Sequence, residues 1–263
     1  MKYLAFGIGL VLSACGDSQT TRDAPAPMPL KSGTEFLTLE TQALQADTFA
    51  NPAMLWVDRG QTLFTKPVDM GMGIEKACAD CHSETTRPLT QSAAHFPKLD
   101  EKSGALVNLE EQINLCRIRY QNTTALDYES QDLLALTAYT AHQSNGQAIS
   151  VNATPKTQKN FENGKDYFFT KRGQMNFSCA QCHDENWGKK LRGDTISQGH
   201  GNGFPAYRLE WETIGSLHRR FADCDRGVRA QPLELGSETY TDLELYLAVR
   251  GNGLDIETPA IRR

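Results

Sequence analysis

The sequence predicts a mainly α protein made of two tandem copies of one small helical domain. Three observations predict this. The pentapeptide pattern C-x-x-C-H occurs twice, as CADCH at Cys78 to His82 and as CAQCH at Cys179 to His183. Each copy is preceded by a glycine with a phenylalanine four residues on, and followed by an FP pair with a lone cysteine twenty residues further. Each half then closes on an amphipathic run with helical period.

The chain has 263 residues, enough for two small domains, and 39% of them are hydrophobic, enough for cores. Its formal net charge of -5 argues against nucleic acid as a partner. The first residues, MKYLAFGIGLVLSAC, place a basic residue before a short apolar run and then small residues. This is an export signal, too short for a permanent membrane span. The ending LSAC resembles a lipoprotein signal, which implies a signal peptide over 1–14, cleaved before Cys15, with a lipid on Cys15 as the only membrane anchor. Gly16 after that cysteine favours the outer membrane, so the expected location is the periplasm, tethered there as a lipoprotein. An ordinary secretory signal with Cys15 incidental is the alternative. Residues 15–49 form an N-terminal extension, of which 16–34, rich in Pro, Ser and Thr, is expected to be a flexible tether.

The first repeat runs over 50–153. DRGQTLFTK (58–66) supplies Gly60 and Phe64, the FP pair is Phe96-Pro97, the lone cysteine is Cys116, and the closing helix is DLLALTAY (132–139). SVNATPKTQ (150–158) breaks the periodicity at Pro155 and marks the boundary. The second repeat runs over 156–263, with Gly164 and Phe168, Phe204-Pro205, Cys224 and DLELYLAV (242–249). An Asn-Gly pair follows each closing helix and predicts its stop.

C-x-x-C-H is the attachment signature of c-type haem. Two thiols at that spacing reach the two vinyl groups of one haem, and the adjacent histidine reaches the iron. A zinc site or a redox dithiol explains the cysteine pairs but not a histidine directly after both. The sequence therefore implies two covalently bound haem c groups, held by Cys78, Cys81 and His82 and by Cys179, Cys182 and His183.

Each iron then needs a second axial ligand or an open position. No methionine lies between Cys81 and Met175, and none follows Met175, so the donor usual in electron carriers is missing from the expected place. Cys116 and Cys224 occupy equivalent repeat positions and are the unassigned cysteines. A thiolate on each iron accounts for both; a Cys116–Cys224 disulfide is the rival. His95, His142 and His218 are expected to pack or face solvent, and His200, in the glycine-rich SQGHGNGFP, is a minor site candidate.

The halves differ around these cysteines. Four residues before Cys116 stands Gln112; four before Cys224 stands Arg220. In a helix, i and i+4 share a face. Arg220 then lies beside Cys224, favours its thiolate and offers a forked donor to an oxyanion. Pairing of Arg219 and Arg220 with haem propionates, or their solvation, is the competing reading.

Gly60/Phe64 and Gly164/Phe168 resemble the N-terminal helix of class I cytochromes c, so the two domains are expected to be class I cytochrome c-like. CADCH, CAQCH, Cys116, RRFADCDRGVRAQP (219–232) and the ending SETYTDLELYLAVRGNGL with PAIR resemble the SoxA family of bacterial thiosulfate oxidation, over about residues 35–263. The resemblance implies the dihaem form, since a disulfide replaces the first haem in the monohaem form. It implies catalytic roles for Cys224, an iron ligand carried as a persulfide, and for Arg220, which holds the anionic sulfonate. It implies His82 and Cys116 on a first, low-potential iron, and His183 with Cys224 on the catalytic one. The implied activity is that of an L-cysteine S-thiosulfotransferase, a sulfur transferase and oxidoreductase. It couples thiosulfate to a cysteine of the SoxYZ carrier. Two electrons leave through a SoxX-like monohaem subunit to a small cytochrome c. A dihaem electron carrier without sulfur chemistry is the alternative. A dihaem peroxidase lacks an open coordination position, and a haem sensor lacks an output domain.

Overall fold

The structure is a computed structural model that describes Met1, residues 29–71 and residues 73–263. Among the described residues eight α-helices carry the architecture: α1 (Leu39–Ala46), α2 (Met54–Thr65), α3 (Leu109–Tyr120), α4 (Gln131–His142), α5 (Gln158–Phe169), α6 (Cys179–His183), α7 (Leu217–Gly227) and α8 (Glu238–Arg250). Short antiparallel pairs link them: β1 (Val68–Asp69) with β2 (Glu75–Lys76), β3 (Lys98–Leu99) with β4 (Leu106–Val107), and β5 (Lys190–Leu191) with β6 (Asp194–Thr195). The pair β7 (Ala206–Arg208) with β8 (Thr213–Gly215) is extended by β9 (Ile261–Arg262), parallel to β7.

The repeat is visible in three dimensions. In each half the first helix crosses the last, α2 on α4 and α5 on α8. The crossing point is a glycine. A Cβ on Gly60 would overlap the backbone carbonyl of Ala135, and one on Gly164 would overlap that of Asp242. Phe64 and Phe168, one turn on, are buried in the same contacts. Backbone against backbone leaves nothing flexible to yield. Gly164→Ala is therefore expected to cost about 2–3 kcal/mol through forced separation of α5 and α8. Calorimetry of the haem-loaded protein checks this as a drop in Tm of about 5–10 °C.

A hairpin leads into each cysteine-bearing helix: β3–β4 precedes α3, and β7–β8 precedes α7. Asn108 caps α3 with a capping box to Glu111, and Ser216 caps α7 by accepting from Arg219 N at 3.1 Å. The caps are tied across the repeat. Asn108 Nδ2 donates to Glu244 of α8 at 3.1 Å, while the backbone N of Ser216 donates to Glu129, just before α4, at 2.8 Å. Each half thus braces the start of the other's cysteine helix. Apolar packing joins them as well: Ile214 enters the cluster of Val57, Leu134 and Ala138, and Leu245 and Ile256 pack with Ala94, Ile149 and Val151.

The expected tether needs correction at its C-terminal end. Residues 29–34 are folded, with Ser32 and Gly33 buried. Lys31 N donates to Gln198 Oε1 at 2.9 Å, and Asn202 Nδ2 donates to Ser32 Oγ at 3.1 Å. Further on, Gln45 Oε1 accepts from Ile261 N at 3.0 Å. The segment before α2 therefore lies against the second half, because its polar side chains complete the edge around β9. Cys15, residues 2–14 of the expected signal and residues 16–28 of the expected tether lie outside the described residues.

Candidate functional site

In the first half, Cys78 opens a single 3-10 turn (Cys78–Asp80) and His82 follows it. In the second, Cys179 to His183 form α6, capped by Ser178 with a box to Gln181. Each histidine directs Nδ1 to a backbone carbonyl: His82 to Arg87 O at 3.2 Å, and His183 to Ser197 O at 2.7 Å. That leaves Nε2 of each imidazole for a metal, the arrangement usual for ligating histidines. Gly199, at φ +76°, lets the 197–201 loop pass directly over the His183 ring; a Cβ there would stand 2.8 Å from His183 Cγ. Cys78, Cys81, Cys116, Cys179, Cys182 and Cys224 are all free thiols, so Cys116 and Cys224 do not form the rival disulfide.

The lone cysteines come to these motifs. Cys116 on α3 lies close enough to Cys78 to raise its pKa, after burial and against the Arg117 charge. Cys224 on α7 does the same to Cys182, after burial. Burial likewise pushes the Cys179 thiol up to about 11, against the pull of Arg172. The donor sets in both halves fit a covalently attached haem: two half-buried thiols, an oriented imidazole and a further cysteine sulfur near the motif.

The two sulfurs meet different neighbours. Gln112 Nε2 donates to Cys116 Sγ at 3.4 Å, a neutral contact. At Cys224, burial opposes ionisation, but Arg220, then His183 and then Arg208 outweigh it and bring the thiol down to about 7. The i, i+4 relation read from the sequence thus holds in both helices. Among the described residues no carboxylate pairs with Arg220. Arg219 is separate: its guanidinium lies 4.2 Å from the Trp211 ring centroid and 3.8 Å from Glu129.

Four residues escaped the sequence reading. Asp225, 2% exposed, accepts from Tyr167 and Tyr240 hydroxyls at 2.7 Å each and pairs with Arg172 at 3.2 Å. Arg172 also donates to Cys179 Sγ at 3.6 Å. This carboxylate locks α7 onto the attachment motif, yet nothing in "CDRG" distinguishes it from a surface acid. Ser197 and Arg208 are the others; the second was findable, since it stands three residues after Pro205 where the first half has Asp100 after Pro97.

His200 is buried but turned to α8, with Nε2 3.3 Å from Gln198 Oε1 and 3.4 Å from an Arg250 nitrogen. Burial first, then Arg250, brings its pKa to about 3, so it stays neutral. His95 and His142 contact backbone carbonyls of Ser150 and Thr258, each at 3.0 Å. His218, fully buried, stacks on Tyr128 and lies 3.2 Å from Glu244. His95 is exposed to solvent, while His142 and His218 pack, as expected.

Tandem helical domains, each with C-x-x-C-H beneath a crossing of first and last helices, define a c-type cytochrome. The sequence profile of the SoxA/TsdA cytochrome c domain matches residues 59–149. The chain is 38% identical over 233 residues to the L-cysteine S-thiosulfotransferase subunit SoxA of Pseudaminobacter salicylatoxidans, covering 88% of this chain and 80% of that one. Identity to the SoxA subunit of Rhodovulum sulfidophilum is 36% over 255 residues, covering 94% and 88%. Among solved structures, SoxXA from P. pantotrophus matches with a TM-score of 0.81 at 33% identity, covering 89% of this chain and 87% of that one. The chain belongs to the SoxA family. No helix among the described residues is long and apolar enough to cross a membrane.

Proposed function

We propose that this chain is the catalytic subunit of an L-cysteine S-thiosulfotransferase. It carries two haem c groups and works in the periplasm with a SoxX-like monohaem subunit. It joins thiosulfate to a cysteine of the SoxYZ carrier, and a small cytochrome c accepts the electrons. The carrying observation is the asymmetry of the two sulfur donors. A plain electron relay leaves unexplained why Arg220 stands by Cys224 where Gln112 stands by Cys116.

The reaction is R–SH + S2O3(2−) → R–S–S–SO3(−) + H+ + 2e−. One S–S bond forms, one S–H bond breaks, the proton goes to solvent, and two electrons leave. Haem c supplies the electron sink when bound. His82 with Cys116, and His183 with Cys224, would hold the irons. Cys224 presents a sulfur whose anionic form, the form that reacts, Arg220 and His183 favour. Arg220 holds the sulfonate oxygens and balances their charge in a partly dry pocket. Asp225 fixes the helix on which both stand.

The test is thiosulfate-dependent reduction of cytochrome c by the complex of this chain, its SoxX-like partner and the carrier. Turnover is expected; a fully haem-loaded complex without any would sink the enzyme reading and leave an electron carrier. Arg220→Gln is expected to lower kcat/KM for thiosulfate about 100-fold, the loss of one hydrogen bond to a charged group.

A further inference from the structure

The hairpin β7–β8 brings a second arginine to this site. Arg208 closes β7 and is 3% exposed. One of its terminal nitrogens pairs with Glu210 Oε2 at 2.6 Å, but Glu210 is 64% exposed and covers a single edge. The Arg208 Nε is buried and has no hydrogen-bond partner. Its guanidinium lies 5.0 Å from the Trp211 ring centroid. Trp211 in turn donates from Nε1 to Asp223 Oδ2 at 2.8 Å, on the residue before Cys224, and carries Arg219 against its ring. The hairpin is thereby pinned to the Cys224 helix.

Burial of a cation is costly unless an anion compensates it. Here burial, and next the neighbouring Arg220, disfavour the charge on Arg208. Two guanidinium groups are held near one another, faced by the rim carboxylate of Glu210 and by the Cys224 sulfur, while the Arg208 Nε keeps no partner. The first half has no counterpart: the residue equivalent to Arg208 is Asp100, which is committed to Arg119 at 2.6 Å. Both cations are thus peculiar to the half that carries Cys224.

We propose that Arg208 and Arg220 form a two-guanidinium site for the sulfonate end of the sulfur substrate, Arg208 being its specificity-determining second arm. The proposal rests on the thiosulfotransferase reading. A doubly charged tetrahedral oxyanion suits two forked donors, one from a helix and one from a hairpin. The unpartnered Nε is the donor such an anion would satisfy.

The probe is thiosulfate. Arg208→Gln and Arg208→Lys are compared with the native complex in steady-state turnover, and in equilibrium binding to the ferric complex by calorimetry. Arg208→Gln is expected to raise both KM and the dissociation constant for thiosulfate about tenfold, one ionic hydrogen bond's worth. The loss should fall more in KM than in kcat, with haem content and ferric spectrum native. Arg208→Lys is expected to recover part of the affinity. Unchanged thiosulfate affinity in Arg208→Gln, with the native complex turning over, overturns the role of Arg208 alone. A changed ferric spectrum with unchanged affinity assigns Arg208 to a haem carboxylate and also overturns it. Should the native complex bind no thiosulfate, both readings fall. Should it bind without turnover, the calorimetric comparison still decides the Arg208 site.

Discussion

Cys224→Ala is expected to abolish thiosulfate-dependent electron transfer, lowering the rate by at least about a thousandfold. Both haems should remain attached, because the attaching thiols are Cys78, Cys81, Cys179 and Cys182. The substitution removes the one sulfur that stands with Arg220, Arg208 and His183 around it. Alanine leaves their positive charge without its anion. The mass of the intact protein reports attachment, the ferric spectrum reports loss of the sulfur donor, and cytochrome c reduction reports turnover. Full activity in this variant would make Cys224 a replaceable group and place the chemistry elsewhere. The same change at Cys116 is expected to spare turnover, since Gln112 gives that sulfur only a neutral contact.

Asp225→Ala is the second large effect. The carboxylate is 2% exposed and gathers two tyrosine hydroxyls and a guanidinium. Burial first, and then donation to Asp225, raises both tyrosine pKa values, so the hydroxyls stay protonated and donate. Without Asp225, Tyr167 and Tyr240 lose their acceptor and Arg172 is left as a partly buried charge. Removal of one partner from such a network costs about 3–5 kcal/mol. For a chain of this size that lowers Tm by about 10 °C. Thermal unfolding followed at the haem absorbance measures it, and Asp225→Asn should lose less because it still accepts from both hydroxyls. An unchanged Tm would show that the network is not what seats α7.

The helical class, the duplication and the attachment motifs were legible because covalent chemistry and helical period fix their spacing. The glycine crossings were legible for a related reason: Gly60 and Gly164 mark where two helices touch backbone to backbone. The hairpins were not, since strands of two or three residues carry no period. The folded segment at 29–34 was missed because its order comes from partners more than 160 residues away, such as Gln198. In the site, Arg220 followed from its helical spacing to Cys224. Asp225 did not, because its partners Tyr167, Arg172 and Tyr240 come from other elements. Glu129 and Glu244 read as ordinary acids until the fold set each against the opposite helix cap.

That reciprocal brace has a consequence for how the molecule is made. The chain emerges from its N-terminus, and α3 with Cys116 is synthesised well before Glu244. Until α8 arrives, Asn108 lacks a carboxylate it holds in the finished protein. The earlier half is thus completed by the later one, and the two copies mature as a single unit despite their common pattern. Duplication gave two similar modules; the crossed carboxylates make neither one self-sufficient.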